Sequence, residues 1–208
     1  TELVTNGGFE VDFGWQFDPS TTPPQYVTTI QRAGSRSLQL GVVGPSSGSS
    51  SSAARQVVTV PPTATSAILS FWYYPIAEAS PGADRFEFGV MSADGSTPLA
   101  GPWQMPIGLE VWQPAFFDFS AWRGQTFQLY FNVFNDGTGG RTVVFLDDVA
   151  FAACAFPSGT PTPSPTPWPT WTPLPTPWPT PVPTTWPPFP TATPPLGGCF
   201  DLLQNGSF

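Results

Sequence analysis

Carboxylates and aromatic rings are the groups this chain offers for chemistry. Its 208 residues hold 14 Asp+Glu and 6 Lys+Arg, every cation being Arg, and no His. Without imidazole the usual general base, nucleophile partner and metal ligand is gone. A glycosidase needs two carboxylates at a set separation across a cleft. Pairs such as Glu78 with Asp84 or Glu87 with Glu110 can be nominated only arbitrarily, since no motif singles them out. No GxSxG, P-loop, HExxH or CxxC pattern occurs. The chain is therefore expected not to be an enzyme.

Aromatic rings point to a different chemistry. The apolar face of a pyranose stacks on Trp or Tyr while polar side chains bond its hydroxyls, so solvent-facing rings are candidate saccharide platforms. Trp72 and Tyr74 share one face of their segment and Tyr73 takes the other; Trp103, Trp112, Trp122 and Tyr130 complete the set. With 18 Phe in the chain, most rings are expected in the core. Trp103 follows Gly101-Pro102 and reads as an exposed loop residue. Trp103, Trp72 and Tyr74 are the expected carbohydrate-binding residues.

A net charge of -8 without a basic cluster argues against nucleic acid or an anionic membrane as a partner. No apolar run approaches the roughly 20 residues of a membrane span, so no membrane insertion is expected. Thr1 is neither Met nor the start of a signal peptide, and the chain reads as part of a longer protein.

Composition divides the chain into three parts: a module over residues 1–154, a linker over 155–198 and a restart over 199–208. The linker holds 17 of the 29 Pro and 11 Thr but no charged residue, whereas the module holds 13 acids and 6 Arg. The restart repeats the beginning. Glu2-Leu3-Val4-Thr5-Asn6-Gly7-Gly8-Phe9 matches Asp201-Leu202-Leu203-Gln204-Asn205-Gly206-Ser207-Phe208 in pattern, which predicts the opening strand of a second copy.

The module reads as all-β. Strands are predicted at 26–31, 37–43, 55–60, 67–74, 85–91, 111–119, 126–134 and 142–152, where β-branched and aromatic residues alternate with polar ones. Gly44-Pro45, Pro61-Pro62, Pro81-Gly82, Asp94-Gly95 and Asp136-Gly137 supply the turns. An antiparallel jelly-roll β-sandwich follows as the leading architecture.

Five motifs in order carry a resemblance: Asn6-Gly7-Gly8-Phe9-Glu10 with Gly14-Trp15, Gly34-Ser35-Arg36-Ser37-Leu38-Gln39-Leu40, Phe119-Ser120-Ala121-Trp122-Arg123-Gly124-Gln125-Thr126, and Phe145-Leu146-Asp147-Asp148-Val149. Together they resemble the jelly-roll carbohydrate-binding modules of the family four, nine and twenty-two group, especially those repeated in tandem with Pro/Thr linkers in bacterial extracellular proteins. The resemblance implies a structural Ca2+ held by Glu10 and Asp147, with backbone oxygens near Gly8 and Gly34. Such a cation wants six to eight oxygens. Asp147 alternates with Phe145 and Val149 and is expected to point toward the core; the plainer alternative is that it accepts backbone N–H bonds at a strand end. The resemblance also implies that first and last strands lie close. Cys154 would then pair with a cysteine preceding Thr1 and Cys199 with the next copy, or Cys199 of one copy with Cys154 of its neighbour; two unpaired thiols remain the alternative. A disulfide implies an extracellular or cell-surface location.

Proline at nearly every second position from Thr160 onward predicts an extended polyproline II linker, whose 44 residues would span ~136 Å. Its alternating hydroxyls, at Thr162, Thr166, Thr170, Thr172, Thr176 and Thr180, resemble an O-glycosylated stalk. Two functions follow. The first is a structural repeat of an extracellular fibre or stalk, beads joined head-to-tail by glycosylated rods. The alternative is a carbohydrate-binding module that anchors a secreted polysaccharide-active enzyme or adhesin to glycans.

Overall fold

The computed structural model describes residues 1–44, 48–78, 83–138 and 140–155. The expectations for the linker, for the threonines from Thr162 to Thr180, for Cys199 and for the repeat at Asp201–Phe208 lie outside the described residues. Residues Thr1–Ala155 form one compact unit.

Ten described strands make it: β1 (Gln16–Phe17), β2 (Gln25–Val27), β3 (Ser37–Gly41), β4 (Ser50–Thr59), β5 (Ser66–Ala77), β6 (Arg85–Ser92), β7 (Pro98–Met105), β8 (Gln113–Asp118), β9 (Thr126–Asn135) and β10 (Thr142–Cys154). They pair antiparallel in two five-stranded sheets, ordered β1-β4-β9-β6-β7 and β2-β3-β10-β5-β8. This is the antiparallel jelly-roll sandwich that the alternation predicts.

Strand β9 shows how sequence sets the two faces. Phe127, Leu129, Phe131 and Val133 are fully buried, so Gln128, Tyr130, Asn132 and Phe134 must take the outer face. Across the core, Phe71 of β5 meets Phe131 edge-on with centroids 5.0 Å apart, and Phe88 of β6 lies 5.0 Å from Phe131. Burying each such ring contributes about 1.5–3 kcal/mol, and edge-to-face geometry adds about 0.5–1.5 kcal/mol. The opening segment runs beside β10: Leu3 N–H donates to Phe151 O at 2.9 Å and Val149 N–H to Gly7 O at 2.9 Å.

Two strands escape the sequence pattern. β1 has only two residues, too short for any period to show. β7 carries Pro98, Gly101 and Pro102, residues that argue against a strand, yet it lies at a sheet edge where a missing N–H is tolerated. Trp103 therefore belongs to a strand and not to a loop.

Asp147 also departs from expectation. Leu146 faces the core, and so do Val149 and Phe151, because the register shifts between Asp147 and Ala150 and Asp148 takes φ 48. The bulge switches the phase of alternation. Asp147 thus pairs opposite Trp72 on the outer side of its sheet, fully buried beneath the loop preceding β3.

Candidate functional site

The outer face of the β1-β4-β9-β6-β7 sheet gathers polar side chains that hydrophobic alternation places there. Register puts Arg55 of β4, Tyr130 of β9 and Gly89 of β6 in one row. The next row is Ala53, Asn132, Glu87 and Gln104, and on the other side of Tyr130 come Val57, Gln128, Met91 and Pro98.

Charges on this face are matched. Arg55 pairs with Asp18, and Arg85 Nε donates to Glu87 Oε1 at 2.5 Å, its guanidinium lying 4.3 Å over the Phe134 ring. Burial pushes the Tyr130 hydroxyl above its ordinary pKa, Asp18 and Glu87 raise it further, and Arg55 acts the other way. Those charges surround one ring at the centre of the sheet.

Two amides are left incomplete. Gln128 Nε2 donates to Ala93 O at 2.9 Å, but its Oε1 has no partner, and neither has Asn132 Oδ1. Both residues are nearly buried, at 5% and 6% exposure. A buried unpaired acceptor costs about 1–3 kcal/mol. Arg55 Nε is a buried donor likewise unpaired. At one end the Ser92–Thr97 turn closes the face: a Cβ on Gly95 would stand 2.7 Å from Arg55 Nη1 and 3.0 Å from Gln128 Oε1. That turn is held by Asp94, whose carboxylate accepts from Ser92 Oγ and from Ser96 N–H and Oγ, bonds that lower its pKa to about 2.

Of the expected platform residues, Trp72 and Tyr74 share one face of β5 as alternation predicts, and Trp103 lies on the other sheet. Trp103 sits on edge strand β7, 36% exposed, with its ring 5.5 Å from Phe88 and 4.9 Å from Phe117, so it closes the side of the core. Trp72 and Tyr74 lie on the outer face of the other sheet. The Arg32 guanidinium covers Trp72 at 4.0 Å, and Trp112 meets Tyr74 edge-on at 5.6 Å. Tyr73 is core, and Trp122 packs on Phe119 and Phe127.

The expected metal residues do converge. Glu10 Oε1 accepts N–H bonds from Ser35 at 2.9 Å and Arg36 at 3.1 Å. Asp147 Oδ2 accepts from Arg32 N–H at 2.8 Å and Ala33 N–H at 3.2 Å, and Oδ1 from Asp148 N–H at 2.8 Å. Both carboxylates therefore grip one loop, residues 32–36, from the opening segment and from β10. Burial is the main cause raising the Asp147 pKa, to about 6, against the three N–H bonds that lower it. Three N–H donors already hold the Asp147 carboxylate, as the plainer alternative expected, so a calcium ion would have to share its remaining lone pairs. Among the described residues no three His, Cys, Asp or Glu side chains cluster, so backbone carbonyls would have to complete its shell. Cys154 is not a free thiol, and the expectations for its pairing with Cys199 or with another copy reach outside the described residues.

No family model matches the chain, and no curated protein is similar to it. Solved structures are. A family 61 carbohydrate-binding module, in complex with β-1,4-galactotriose, superposes with TM-score 0.55 at 14% identity, over 74% of this chain and 99% of that one. The enzymatically active domain of bacteriophage CBA120 tailspike protein 4 gives 0.52 at 16% identity, over 74% of this chain and 21% of that one. An arabinose-bound MgGH51 α-L-arabinofuranosidase gives 0.50 at 16%, over 73% and 26% respectively. Two sheets of five antiparallel strands, closed by an opening segment laid along the last strand, make residues 1–155 a jelly-roll domain with the fold of the carbohydrate-binding modules.

Proposed function

We propose that this domain is a non-catalytic glycan-binding module of an extracellular protein, and that it binds on the outer face of the β1-β4-β9-β6-β7 sheet. The observation that carries the reading is the half-buried Tyr130 ring at the centre of a polar sheet face of matched charge, flanked in register by Gln128 and Asn132. A pyranose ring would rest on Tyr130, with its hydroxyls on the polar side chains of the neighbouring rows. The fold shared with a galactotriose-binding module supports it. The fibre reading draws on the Pro/Thr rod and the terminal repeat, both sequence features, and the sandwich itself favours the glycan-binding alternative.

Calcium belongs to the proposal as a structural ion at Glu10 and Asp147, with backbone oxygens near Gly8 and Gly34. It would neutralise two carboxylates and tie the first segment to the last strand. Among the described residues no helix is long and apolar enough to cross a membrane.

The test is affinity electrophoresis through gels carrying single polysaccharides. Retardation by at least one polymer, lost in Asn132→Ala and Tyr130→Ala proteins of unchanged thermal midpoint, supports the site. Retardation equal in wild type and both variants would place binding elsewhere.

A further inference from the structure

The interior turns polar at one end of the sandwich, on four strands at once. The inward row of β9 runs Phe131, Val133 and then Asn135, and that of β10 runs Leu146, Val144 and then Thr142. On β4, Ala54 gives way to Ser52 and Ser50; on β6, Phe88 and Phe86 are preceded by Asp84. Pairing brings these ends together. Ser50 stands opposite Asn135, and Asn135 Nδ2 donates to Asp84 Oδ2 at 3.0 Å and to Thr142 O at 3.2 Å. Acceptors are in excess there. Asn135 Oδ1, Thr142 Oγ1, Ser50 Oγ and Ser52 Oγ are buried without a partner, and Asn135 and Thr142 are themselves 1% and 0% exposed. Asp84 adds a carboxylate whose Oδ1 accepts from Asp136 N–H at 2.6 Å, and none of the ion pairs among the described residues includes it. Asp136 is occupied elsewhere, accepting from Ala83 N–H at 2.9 Å and Thr138 N–H at 2.7 Å.

We infer that this end of the core is a site for a monovalent cation of sodium's size, held by Asp84 Oδ2, Asn135 Oδ1, Thr142 Oγ1 and Ser50 Oγ. Carboxylate, amide and hydroxyl oxygens are the ligands that hard cations take. One carboxylate among neutral oxygens balances one positive charge, so a sodium ion leaves the buried site neutral, whereas a divalent ion would leave a charge uncompensated. Ordered water could serve the hydroxyls, but it brings no charge to balance Asp84. Asp84 is half-buried and gives the ion its way in from solvent. Thr142 lies five residues along β10 from Asp147, about 17 Å, and on the inner side of the sheet, so this site is separate from the calcium proposed at Glu10 and Asp147. An ion there would tie β4, β9 and β10 to the start of β6.

The experiment measures thermal midpoints of the full chain, freed of divalent metal by chelator, in sodium chloride and in choline chloride of equal ionic strength. Choline is too large for the site. Expected are a midpoint about 3–5 °C higher in sodium for wild type and for Asp147→Asn, no such rise in Asp84→Asn, and a smaller one in Thr142→Val, which keeps the shape and removes one ligand oxygen. Should Asp84→Asn not fold, Thr142→Val carries the test. Equal midpoints of wild type in the two salts overturn the cation and leave the oxygens to water. A sodium-dependent rise undiminished in folded Asp84→Asn and Thr142→Val overturns its placement. Calcium added to Asp147→Asn in choline chloride is expected to leave the midpoint unchanged, and a rise that Asp84→Asn abolishes overturns the monovalent class.

Discussion

The Glu10 carboxylate fills the space that a side chain on Gly34 would need: a Cβ built there would overlap Glu10 Oε1, and the backbone of Gly34 sits at φ 61. Glu10 can accept the Ser35 and Arg36 N–H bonds only because residue 34 has no side chain. Gly34→Ala adds left-handed backbone strain and ejects the carboxylate, and is expected to cost ~2–3 kcal/mol. Urea unfolding measures it. A loss below about 0.5 kcal/mol, the range of ordinary surface changes, would contradict the clasp.

Asp147 gives the module an acid-stabilised window. Its folded pKa, raised to about 6, lies above the unfolded value of 3.8, so the folded state holds the extra proton. Stability in chelator-treated protein therefore rises as pH falls from about 7 to about 4. Below about 4 the trend reverses, because Asp94, Asp118 and Asp136 have lowered pKa values and lose their bonds on protonation. Thermal melts across this range test the sign, and Asp147→Asn should flatten the upper limb. Calcium added at neutral pH should raise the midpoint in wild type and not in Asp147→Asn. A midpoint indifferent to calcium contradicts the proposed ion.

Trp103→Ala separates packing from binding. Its ring closes the core against Phe88 and Phe117 while more than a third of the residue stays exposed. Partial loss of a large ring is expected to cost ~1–3 kcal/mol, less than the 3–5 of a fully buried aromatic. Glycan affinity should change little. Lost affinity at unchanged stability would return Trp103 to the site.

Phe131→Ala should cost about 3–5 kcal/mol, since Phe131 is fully buried and touches Phe71, Phe88 and Trp15. Phe116→Ala, at 61% exposure, should stay within about 0.5 kcal/mol. Equal losses in the two would contradict the assignment of faces.

The sequence reads well where alternation is regular. Phe127 to Val133 announces both the inner row and, by subtraction, the outer row that holds Gln128, Tyr130 and Asn132. Exposed rings alone point to Tyr130 and not to Gln128 and Asn132 beside it, although polar residues at alternate positions of the same strand were their signal. What alternation cannot convey is where it breaks. The shift at Asp147 to Ala150 and the prolines of β7 are local departures that only pairing with neighbouring strands defines. Glu10, Asp147, Gly8 and Gly34 were found through the order of motifs and not through periodicity.

The most direct measurement is titration calorimetry of wild type and Asn132→Ala with a soluble polysaccharide that retards the wild type in the gels. Saturable binding by wild type, weakened about tenfold or more in an Asn132→Ala protein of native stability, is the predicted result. Heats at the dilution level for wild type, or an unaltered isotherm for the variant, would contradict glycan capture by this sheet face.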